Sequence, residues 1–379
     1  MGYINKAVNL VMGGGGVKGI AYIGSFEVAE KRGYRLENIS GVSAGSLAGA
    51  FAAAGYKSGE IWKAMQSFDF DGVQMSKAST KVPVVKRFID FTSGMRFEGK
   101  RSIEEFLNQE INGIEVTKDE QDIGLSDYRC NLNILKSIIT YSKEGCLFDG
   151  DYFEEWLCKV LAAKGVRTFA DLRGGIVDAV NPRGYKVRMT GVDCNRAKVV
   201  VLPDDMEFYG IEPDNFEVAK AVRISCCVPF AFKPVEIRKK VENKVRTYNL
   251  VDGGVLDSFP SWLIAPSFIH TLGLMLNGGE KNKFFSIDTP LNIMKSLISA
   301  VHDIGVPEHA ENDVKFIGEI NTTKVSFLNF SLSDDDKTYL FNSGRQAAIL
   351  LFNNFERRTL ALSRRLPAFF APLFKRRRL

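Results

Sequence analysis

The sequence has few of the residues that build metal centres and disulfide frameworks. Of its 379 residues, 3 are histidines and 6 are cysteines, and the cysteines form neither a CxxC motif nor a paired spacing. We therefore expect reduced, mostly buried thiols and no metal or other cofactor. No secretory signal is visible, and no apolar run reaches the roughly 18 residues of a membrane span. These absences predict a cytoplasmic protein whose contact with membranes is at most peripheral.

The chain has no large excess of positive or negative charge except near its end. The formal net charge is +5, and hydrophobic and charged residues make up 45% and 25%, ordinary values for a globular protein. Residues 356–379 are rich in arginine and lysine and contain one acid, Glu356. Cations and aromatic side chains alternate in residues 364–379, which favours contact with an anionic lipid surface. A solvated tail and a nucleic-acid contact are the alternatives, and we expect no nucleic-acid partner.

The first part of the chain alternates between short apolar runs and helical patterns. Residues 7–12 predict a buried strand, and a glycine-rich loop at 13–19 leads into a helix at 20–32. A second strand at 38–42 runs into an Ala- and Gly-rich helix at 44–54. This βαβα order favours a parallel sheet covered by helices on both faces.

The second strand ends in the sequence Gly41-Val42-Ser43-Ala44-Gly45, a Gly-x-Ser-x-Gly motif. A strand that turns this sharply into a helix leaves the middle serine exposed on a strained corner, as in a nucleophile elbow. The helix would direct free N–H groups and the positive end of its dipole towards Ser43. The alternative is an ordinary Gly/Ser turn before a buried helix.

The loop Gly13–Gly19 has three interpretations. A P-loop is disfavoured because Lys18 is followed by glycine instead of serine or threonine. A dinucleotide fingerprint matches the glycine spacing, but Glu37 precedes the second predicted strand instead of ending it. The third interpretation is an oxyanion hole, in which successive backbone N–H groups point at one oxygen. The pattern favours this third interpretation, with the loop facing Ser43.

Later segments complete the predicted sheet. We predict a last helix capped by Ser333 and the following elements: helices at 57–67, 151–163, 217–226, 291–301 and 334–358, and strands at 186–193, 198–202, 247–251 and 270–276. Asp252 follows the strand at 247–251 and precedes Gly253 and Gly254. At the carboxyl end of a parallel strand it would lie at the edge where such sheets hold active sites. The alternative is a surface Asp-Gly turn.

A serine nucleophile needs a base. A Ser-Asp-His triad would draw on His270, His302 or His309, but none of these lies in a Gly-rich loop, and only one strand precedes the elbow. We therefore favour a dyad of Ser43 and Asp252. Burial would raise the low pKa of a lone aspartate towards a useful value.

Four blocks together resemble the patatin-like phospholipase family: residues 14–19, 41–45, 221–229 and 252–254. The resemblance implies a three-layer α/β/α sandwich around a mainly parallel sheet and a calcium-independent serine hydrolase that cleaves acyl esters of phospholipids, lysophospholipids or other lipids. It also implies that Ser43 is the nucleophile and Asp252 the base. The remaining roles carried over from the family are an oxyanion hole of Gly14, Gly15 and Gly16 and supporting roles for Lys18, Gly41, Gly45, Gly253 and Gly254.

Two departures and two alternatives accompany this resemblance. Family members often carry an asparagine soon after the Asp-Gly-Gly block, where this chain has Asp257. Residues 68–150, which include a helix capped by Ser102 and Glu105, match no family block. We expect one catalytic domain at 1–355 with an insertion at about 68–150, followed by a basic tail at 356–379. The alternative functions are a nucleotide-binding protein and an esterase or acyltransferase that uses the same dyad.

Overall fold

The strands of a computed structural model form one mixed sheet. The model describes residues 6–68, 150–229, 231–242, 244–277, 314–325 and 332–365. Within them the sheet has eight strands: β1 (Ala7–Met12), β2 (Arg35–Gly41), β3 (Val187–Asp193), β4 (Lys198–Leu202), β5 (Val235–Val241), β6 (Lys244–Asp252), β7 (His270–Asn277) and β8 (Phe316–Asn321). The predictions for Ser102, Glu105, His302, His309, the helix at 291–301 and the end of the tail lie outside the described residues.

The strands that were predicted first form the parallel centre of the sheet. The order is β5-β6-β3-β2-β1-β7-β8, with β4 paired to β3. The pairs β1–β2, β1–β7, β2–β3 and β7–β8 are parallel, whereas β4 and β6 pair antiparallel to β3 and β5 antiparallel to β6. The predicted α/β sandwich around a mainly parallel sheet is confirmed.

Six α-helices accompany the sheet in the described part of the chain: α1 (Ile20–Lys31), α2 (Ala44–Ala53), α3 (Ser58–Gln66), α4 (Asp151–Ala162), α5 (Val218–Ser225) and α6 (Asp334–Arg365). Their positions agree with the predicted ones to within two residues, except at the end of α6. Strands β5 and β8 were not predicted, although the alternating burial along both is that of half-buried strands.

The final helix begins where the sequence predicts and ends later. Ser333 caps it: the Asp336 amide donates to the Ser333 hydroxyl oxygen at 3.1 Å, and the Ser333 amide donates to the Asp336 carboxylate at 3.1 Å. The helix continues to Arg365. Glu356, where the sequence suggested that a tail begins, accepts hydrogen bonds of 2.9 Å from both Lys6 and Tyr34. This helical turn is therefore packed against the start of the chain.

Helices α1 and α6 cross with their backbones in contact. A Cβ on Gly24 would collide with the Phe341 carbonyl oxygen, and one on Gly344 would collide with the Ala21 carbonyl oxygen. The buried Ser25 hydroxyl donates to the Gly344 carbonyl at 2.9 Å. Only glycine permits so close an approach, so this crossing fixes α6 against α1.

Two predictions from composition have different outcomes. The expectation of mostly buried thiols is wrong for Cys158 and Cys194, which are exposed, whereas Cys227 is buried and Cys226 is partly exposed. In the described part of the chain, no helix combines the length and the apolar character that crossing a bilayer requires.

Candidate active site

Ser43 lies on a strained corner between β2 and α2. Its backbone has φ 53° and ψ −123°, in a region that non-glycine residues rarely adopt. The side chains near the corner are buried, and Ser43 itself is 2% exposed. Strain of this kind persists only where the surrounding structure imposes it, and it is concentrated at functional sites. The conformation agrees with the predicted elbow and not with an ordinary turn.

The two glycines of the Gly-x-Ser-x-Gly motif allow backbones to pass each other. A Cβ on Gly41 would lie 2.5 Å from the Gly45 carbonyl oxygen. A Cβ on Gly45 would collide with the Met12 carbonyl oxygen at the end of β1. A side chain on Gly41 would therefore distort the elbow itself, and one on Gly45 would push the elbow away from β1.

The first turn of α2 offers fewer free donors than the sequence suggested. The amides of the second, third and fourth helical residues already donate to the carbonyls of Val42 and Ser43 at 2.9–3.2 Å. Within the described residues, Ala44 is the first-turn residue whose amide has no such bond. The helix therefore presents one backbone donor beside Ser43 instead of a group of them.

Asp252 reaches the same place from the opposite direction. It ends β6, which runs antiparallel to β3, so the expectation that it ends a parallel strand is wrong. On one side of β3, both Met189 and Gly191 pair with β4. Met189 also pairs with Gly41 at the end of β2, and Gly191 also pairs with Asp252 at the end of β6. Because β4 occupies one side of β3, β2 and β6 share the other side, and their carboxyl ends face each other. Ser43, two residues past the end of β2, lies in the gap between them.

The carboxyl group of Asp252 is buried and incompletely hydrogen-bonded. Asp252 is 1% exposed, and burial raises its pKa to about 7, although hydrogen bonding from the Ser43 hydroxyl and the Gly254 amide opposes part of that rise. Oδ1 accepts from the Gly254 amide at 2.8 Å, whereas Oδ2 has no well-formed hydrogen bond among the described residues. Ser43 is thus near enough to affect the carboxylate without an aligned hydrogen bond. Such bonds often tighten only when substrate binds.

The glycines next to Asp252 also have identifiable roles. A Cβ on Gly253 would collide with Thr190 in β3. The Gly254 amide holds Oδ1, as described above. Asp257, in the region where family members often have an asparagine, instead accepts from the Phe259 amide at 2.9 Å and from the Trp262 indole at 2.7 Å. Asp257 therefore orders its own loop.

The glycine loop after β1 lies beside the elbow, because β1 and β2 are parallel neighbours. The Gly14 amide donates to the Ser258 carbonyl at 3.2 Å. Its N–H is therefore not free for an oxyanion, which corrects the expectation that three successive amides point at one oxygen. Among the described residues, the amides of Gly15 and Gly16 have no hydrogen-bond partner. Their backbones have φ 157° and φ 57°.

Lys18 lies in the short 3₁₀ helix Gly16–Gly19 and is 4% exposed. Gly16, Val17 and Gly19 line the cavity described below, but Lys18 does not. Of the two roles suggested by the sequence, this burial favours fixing the loop over contacting a lipid phosphate.

The structure removes one histidine and one acidic residue from the candidate site. His270 pairs with Val8 near the start of β1, at the edge of the sheet opposite to Ser43, and its ring packs 5.2 Å from that of Phe355. Glu37 lies within β2 instead of before it, and its carboxylate is 3.7 Å from Arg35. Neither residue can reach the elbow. A triad through His270 and a ribose contact through Glu37 are both incompatible with this placement.

Sequence reasoning missed the contacts made by residues 225–227, at the end of α5. The Ser43 amide donates to the Ser225 hydroxyl oxygen at 3.0 Å, and the Cys226 thiol donates to the Ser43 carbonyl at 3.2 Å. The Asp252 amide donates to the Cys227 carbonyl at 2.8 Å. These contacts join residues about 180 positions apart in the case of Ser43, and no local pattern signals them.

A largely apolar cavity of about 100 Å³ lies beside Ser43. The side chains that line it come from α1, α2, α3, α4 and the segment after α5, and include Ile23, Phe26, Phe51, Phe153, Trp156 and Phe232. Arg223 is the charged residue of the lining. Its guanidinium donates to the Lys233 carbonyl at 2.9 Å and lies 5.4 Å from the ring centre of Phe232. A group that enters the cavity beside Ser43 would therefore meet mainly apolar side chains.

Comparison with known proteins identifies the family to which the chain belongs. The family model for patatin-like phospholipase matches residues 10–263. The chain belongs to the patatin-like phospholipase family. The match contains every candidate site residue, from the glycine loop to Asp252. It ends before β7, β8 and α6, which complete the sheet on one side.

Relatives of this patatin-like protein differ in length. It is 33% identical over 255 residues to the uncharacterized protein YqhO of Bacillus subtilis, covering 67% of this chain and 66% of YqhO. It is 27% identical over 199 residues to Lysophospholipase NTE1 of Candida albicans, covering 49% of this chain and 14% of that protein. Among solved structures it is similar to VipD from Legionella pneumophila, with 17% identity, a TM-score of 0.47 and coverage of 92% of this chain and 67% of that one.

Proposed function

We propose that this protein is a calcium-independent lipid acyl hydrolase in which Ser43 is the nucleophile and Asp252 the general base. The observation that carries the proposal is the meeting of Ser43 with a buried Asp252 carboxyl, of pKa about 7, in the gap between β2 and β6. A base whose pKa is near the working pH combines a useful deprotonated fraction with a strong tendency to accept a proton. Membership of the patatin-like phospholipase family supports the same chemistry.

The reaction has two halves. In the first, Asp252 Oδ2 accepts the Ser43 hydroxyl proton as Ser43 Oγ bonds to the ester carbonyl carbon. The tetrahedral intermediate then collapses, the C–O bond to the alcohol breaks, and Asp252 returns its proton to the leaving oxygen. In the second half, Asp252 takes a proton from water, which attacks the acyl-serine, and the fatty acid leaves as Ser43 regains its proton.

The oxyanion of each intermediate needs backbone donors. The amides of Gly15 and Gly16 are the candidates on the glycine loop, since the Gly14 amide is engaged by Ser258. The Ala44 amide at the start of α2 is a third candidate, because the residue after the nucleophile supplies one such donor in elbow-type hydrolases. Donors preorganised in a buried site lower the barrier far more than donors in water.

The apolar cavity favours a substrate with an acyl chain. Each methylene group that leaves water on entering it contributes about 0.8 kcal/mol. Phospholipids and lysophospholipids offer such chains next to an ester, which is why we propose them as substrates. Contact of residues 364–379 with the membrane surface stays a prediction, since these residues lie at or beyond the end of the described chain.

A lipid panel tests the proposal. Purified protein is incubated with phospholipids, lysophospholipids, triacylglycerols and short p-nitrophenyl esters in the presence of EDTA, and released fatty acid is measured by mass spectrometry. We expect release from phospholipids or lysophospholipids by wild type and none by Ser43→Ala. Release from short esters alone would indicate a non-lipid esterase, and equal release by both proteins would contradict the role of Ser43.

A further inference from the structure

We propose that residues Ser225–Cys227 are a positioning segment that fixes the backbones of Ser43 and Asp252 relative to each other. This inference rests on the proposed function and adds residues to it that act through the backbones of Ser43 and Asp252. Of the three, Cys226 also lines the cavity beside Ser43.

Three successive residues make these contacts, through a hydroxyl group, a thiol group and a backbone carbonyl. Ser225 accepts from the Ser43 amide at 3.0 Å, and Cys226 donates to the Ser43 carbonyl at 3.2 Å. Cys227 accepts the Asp252 amide through its own carbonyl at 2.8 Å. One short segment therefore holds both sides of the strained residue and also the residue that carries the base.

The two contacts to Ser43 stabilise a conformation that would otherwise relax. At φ 53° the Ser43 backbone is strained, and Ser225 holds its amide from outside the turn. The Ser43 carbonyl accepts from the Ser46 hydroxyl at 2.6 Å and from the Ser46 and Leu47 amides, and the Cys226 thiol is a further donor to it. Ser225 is fully buried, so its hydroxyl cannot be replaced by bulk water when it is removed. Loss of the Ser225 hydroxyl leaves Ser43 freer to rotate away from Asp252. Loss of the Cys226 thiol has a smaller effect, because the donors from Ser46 and Leu47 remain.

The third contact explains how the separation of the two residues is set. β2 and β6 approach each other end to end along β3, and neither strand pairs with the other across the gap. Their shared pairing with β3 sets the approximate separation of Gly41 and Asp252, but Ser43 lies two residues beyond the end of β2 and does not itself pair in the sheet. Helix α5 packs against α2, β3 and β6. Its end is in a position to set the distance from Ser43 to Asp252 directly.

The test compares four variants with wild type. Ser225→Ala removes the acceptor for the Ser43 amide. Cys226→Ala removes the donor to the Ser43 carbonyl, and Cys226→Ser keeps a donor there. Ser25→Ala is the matched control, because the Ser25 hydroxyl is also buried and also bonds to a backbone group, at 2.9 Å, but in the α1/α6 crossing. The readouts are kcat and KM on a p-nitrophenyl ester, the rate of Ser43 labelling by a fluorophosphonate, and the melting temperature.

We expect Ser225→Ala to lower kcat by about 10–100-fold with KM nearly unchanged, since a small misplacement of a reacting group has effects of this size. Cys226→Ala should lower kcat by about 3–10-fold, the equivalent of one hydrogen bond, and Cys226→Ser should recover most of it. Ser25→Ala should lower the melting temperature to a similar extent as Ser225→Ala but leave kcat and the labelling rate unchanged.

The proposal is overturned if Ser225→Ala keeps its kcat, or if Ser25→Ala loses as much activity as Ser225→Ala. Should Ser225→Ala fail to fold, the Cys226 pair decides, and equal kcat values for Cys226→Ala and wild type overturn the proposal. Failure of the proposed function itself looks different, because wild type would then show no labelling of Ser43 and no esterase activity.

Discussion

Two places in this molecule bring backbones together over glycine, the α1/α6 crossing and the elbow at Ser43. At the crossing, Gly24 and Gly344 let two ordinary helices touch, and the Ser25 hydroxyl bonds to the backbone it meets. At the elbow, Gly41 and Gly45 provide the same closeness, but Ser43 has φ 53° and Oδ2 of the adjacent Asp252 lacks a well-formed hydrogen bond. Close packing occurs in both, whereas the strained backbone occurs at the elbow alone. The crossing also has a carboxylate oxygen without a hydrogen bond, Glu27 Oε2, but it lies 3.3 Å from the Arg345 guanidinium, and no such ion pair is found for Asp252 among the described residues.

This difference distinguishes a structural contact between helices from a candidate catalytic site. Glycines alone mark close approach, which many structural contacts need. A strained non-glycine residue beside an incompletely bonded buried carboxylate lowers stability and is retained where it serves a function. We therefore expect substitutions at the elbow to affect activity more than stability, and substitutions at the crossing to do the reverse.

The largest expected effect is that of Ser43→Ala. We expect kcat/KM to fall by about 10⁴-fold or more, as when other serine hydrolases lose their nucleophile. The melting temperature should change little, because alanine adopts the same strained backbone as serine. Ester turnover and thermal unfolding measure the two quantities. A large loss of stability with retained turnover would show that Ser43 has a structural role and not a catalytic one.

Asp252→Asn should reduce kcat/KM by about 10³–10⁴-fold, because the amide cannot accept the serine proton. In the wild type, activity requires the deprotonated carboxylate and should rise with pH through about 7. Measurement of kcat/KM from pH 5 to 9 in both proteins tests this. Full activity in the variant would exclude Asp252 as the base.

Asp252→Asn should also raise the free energy of unfolding at alkaline pH. The pKa of Asp252 is about 7 in the folded protein against its ordinary value of 3.8, so the folded state binds a proton between these values and the unfolded state does not. Wild-type stability therefore falls as pH rises from about 4 to 7. Asp252→Asn lacks this fall and should be more stable at pH 8 by on the order of 2–4 kcal/mol, with little difference at pH 4. Urea unfolding at both pH values measures it, and a variant less stable at pH 8 would contradict the burial of a charged carboxylate.

Gly344→Ala tests the crossing. The added methyl group would collide with the Ala21 carbonyl and force α1 and α6 apart, at a cost of about 1–3 kcal/mol in the free energy of unfolding. Turnover per folded molecule should stay near that of wild type. Gly33→Ala is a useful comparison, since a Cβ there would meet no atom within 4 Å and only its φ of 72° is unfavourable. Equal destabilisation by both would show that packing at the crossing is unimportant.

The smallest expected effect is that of His270→Gln. The histidine lies at the opposite edge of the sheet and packs against Phe355, so we expect kcat within about 2-fold of wild type and a loss of stability of about 1 kcal/mol. Steady-state kinetics decides this. Abolished turnover in a folded variant would require a triad that this geometry does not allow.

The sequence predicts the first half of the site better than the second. Strand β1, the glycine loop, β2 and α2 follow one another locally, so apolar runs and glycine spacing suffice to bring the loop and Ser43 to one edge. The direction of β6 depends on its pairing with β3 and with β5, and an apolar run alone does not show which strand it pairs with or in which direction. For this reason Asp252 was expected at the end of a parallel strand, whereas it ends an antiparallel one.

Contacts to the backbone from residues far away in the sequence were beyond sequence reasoning. Ser225 belongs to a recognised family block, but its bond to the Ser43 amide joins positions that differ by 182. The occupied amide of Gly14 depends likewise on the distant Ser258 carbonyl. Such contacts follow from the assembled sheet, and periodicity, capping and motif spacing carry no information about them.

The most direct test of the account is the pH dependence of Ser43 labelling by a fluorophosphonate in wild type and in Asp252→Asn. If Asp252 takes the proton of Ser43 across the gap between β2 and β6, wild-type labelling accelerates as pH rises through about 7, and labelling of the variant is slow and nearly independent of pH up to 8. Equal rates and equal pH profiles in the two proteins would contradict the account.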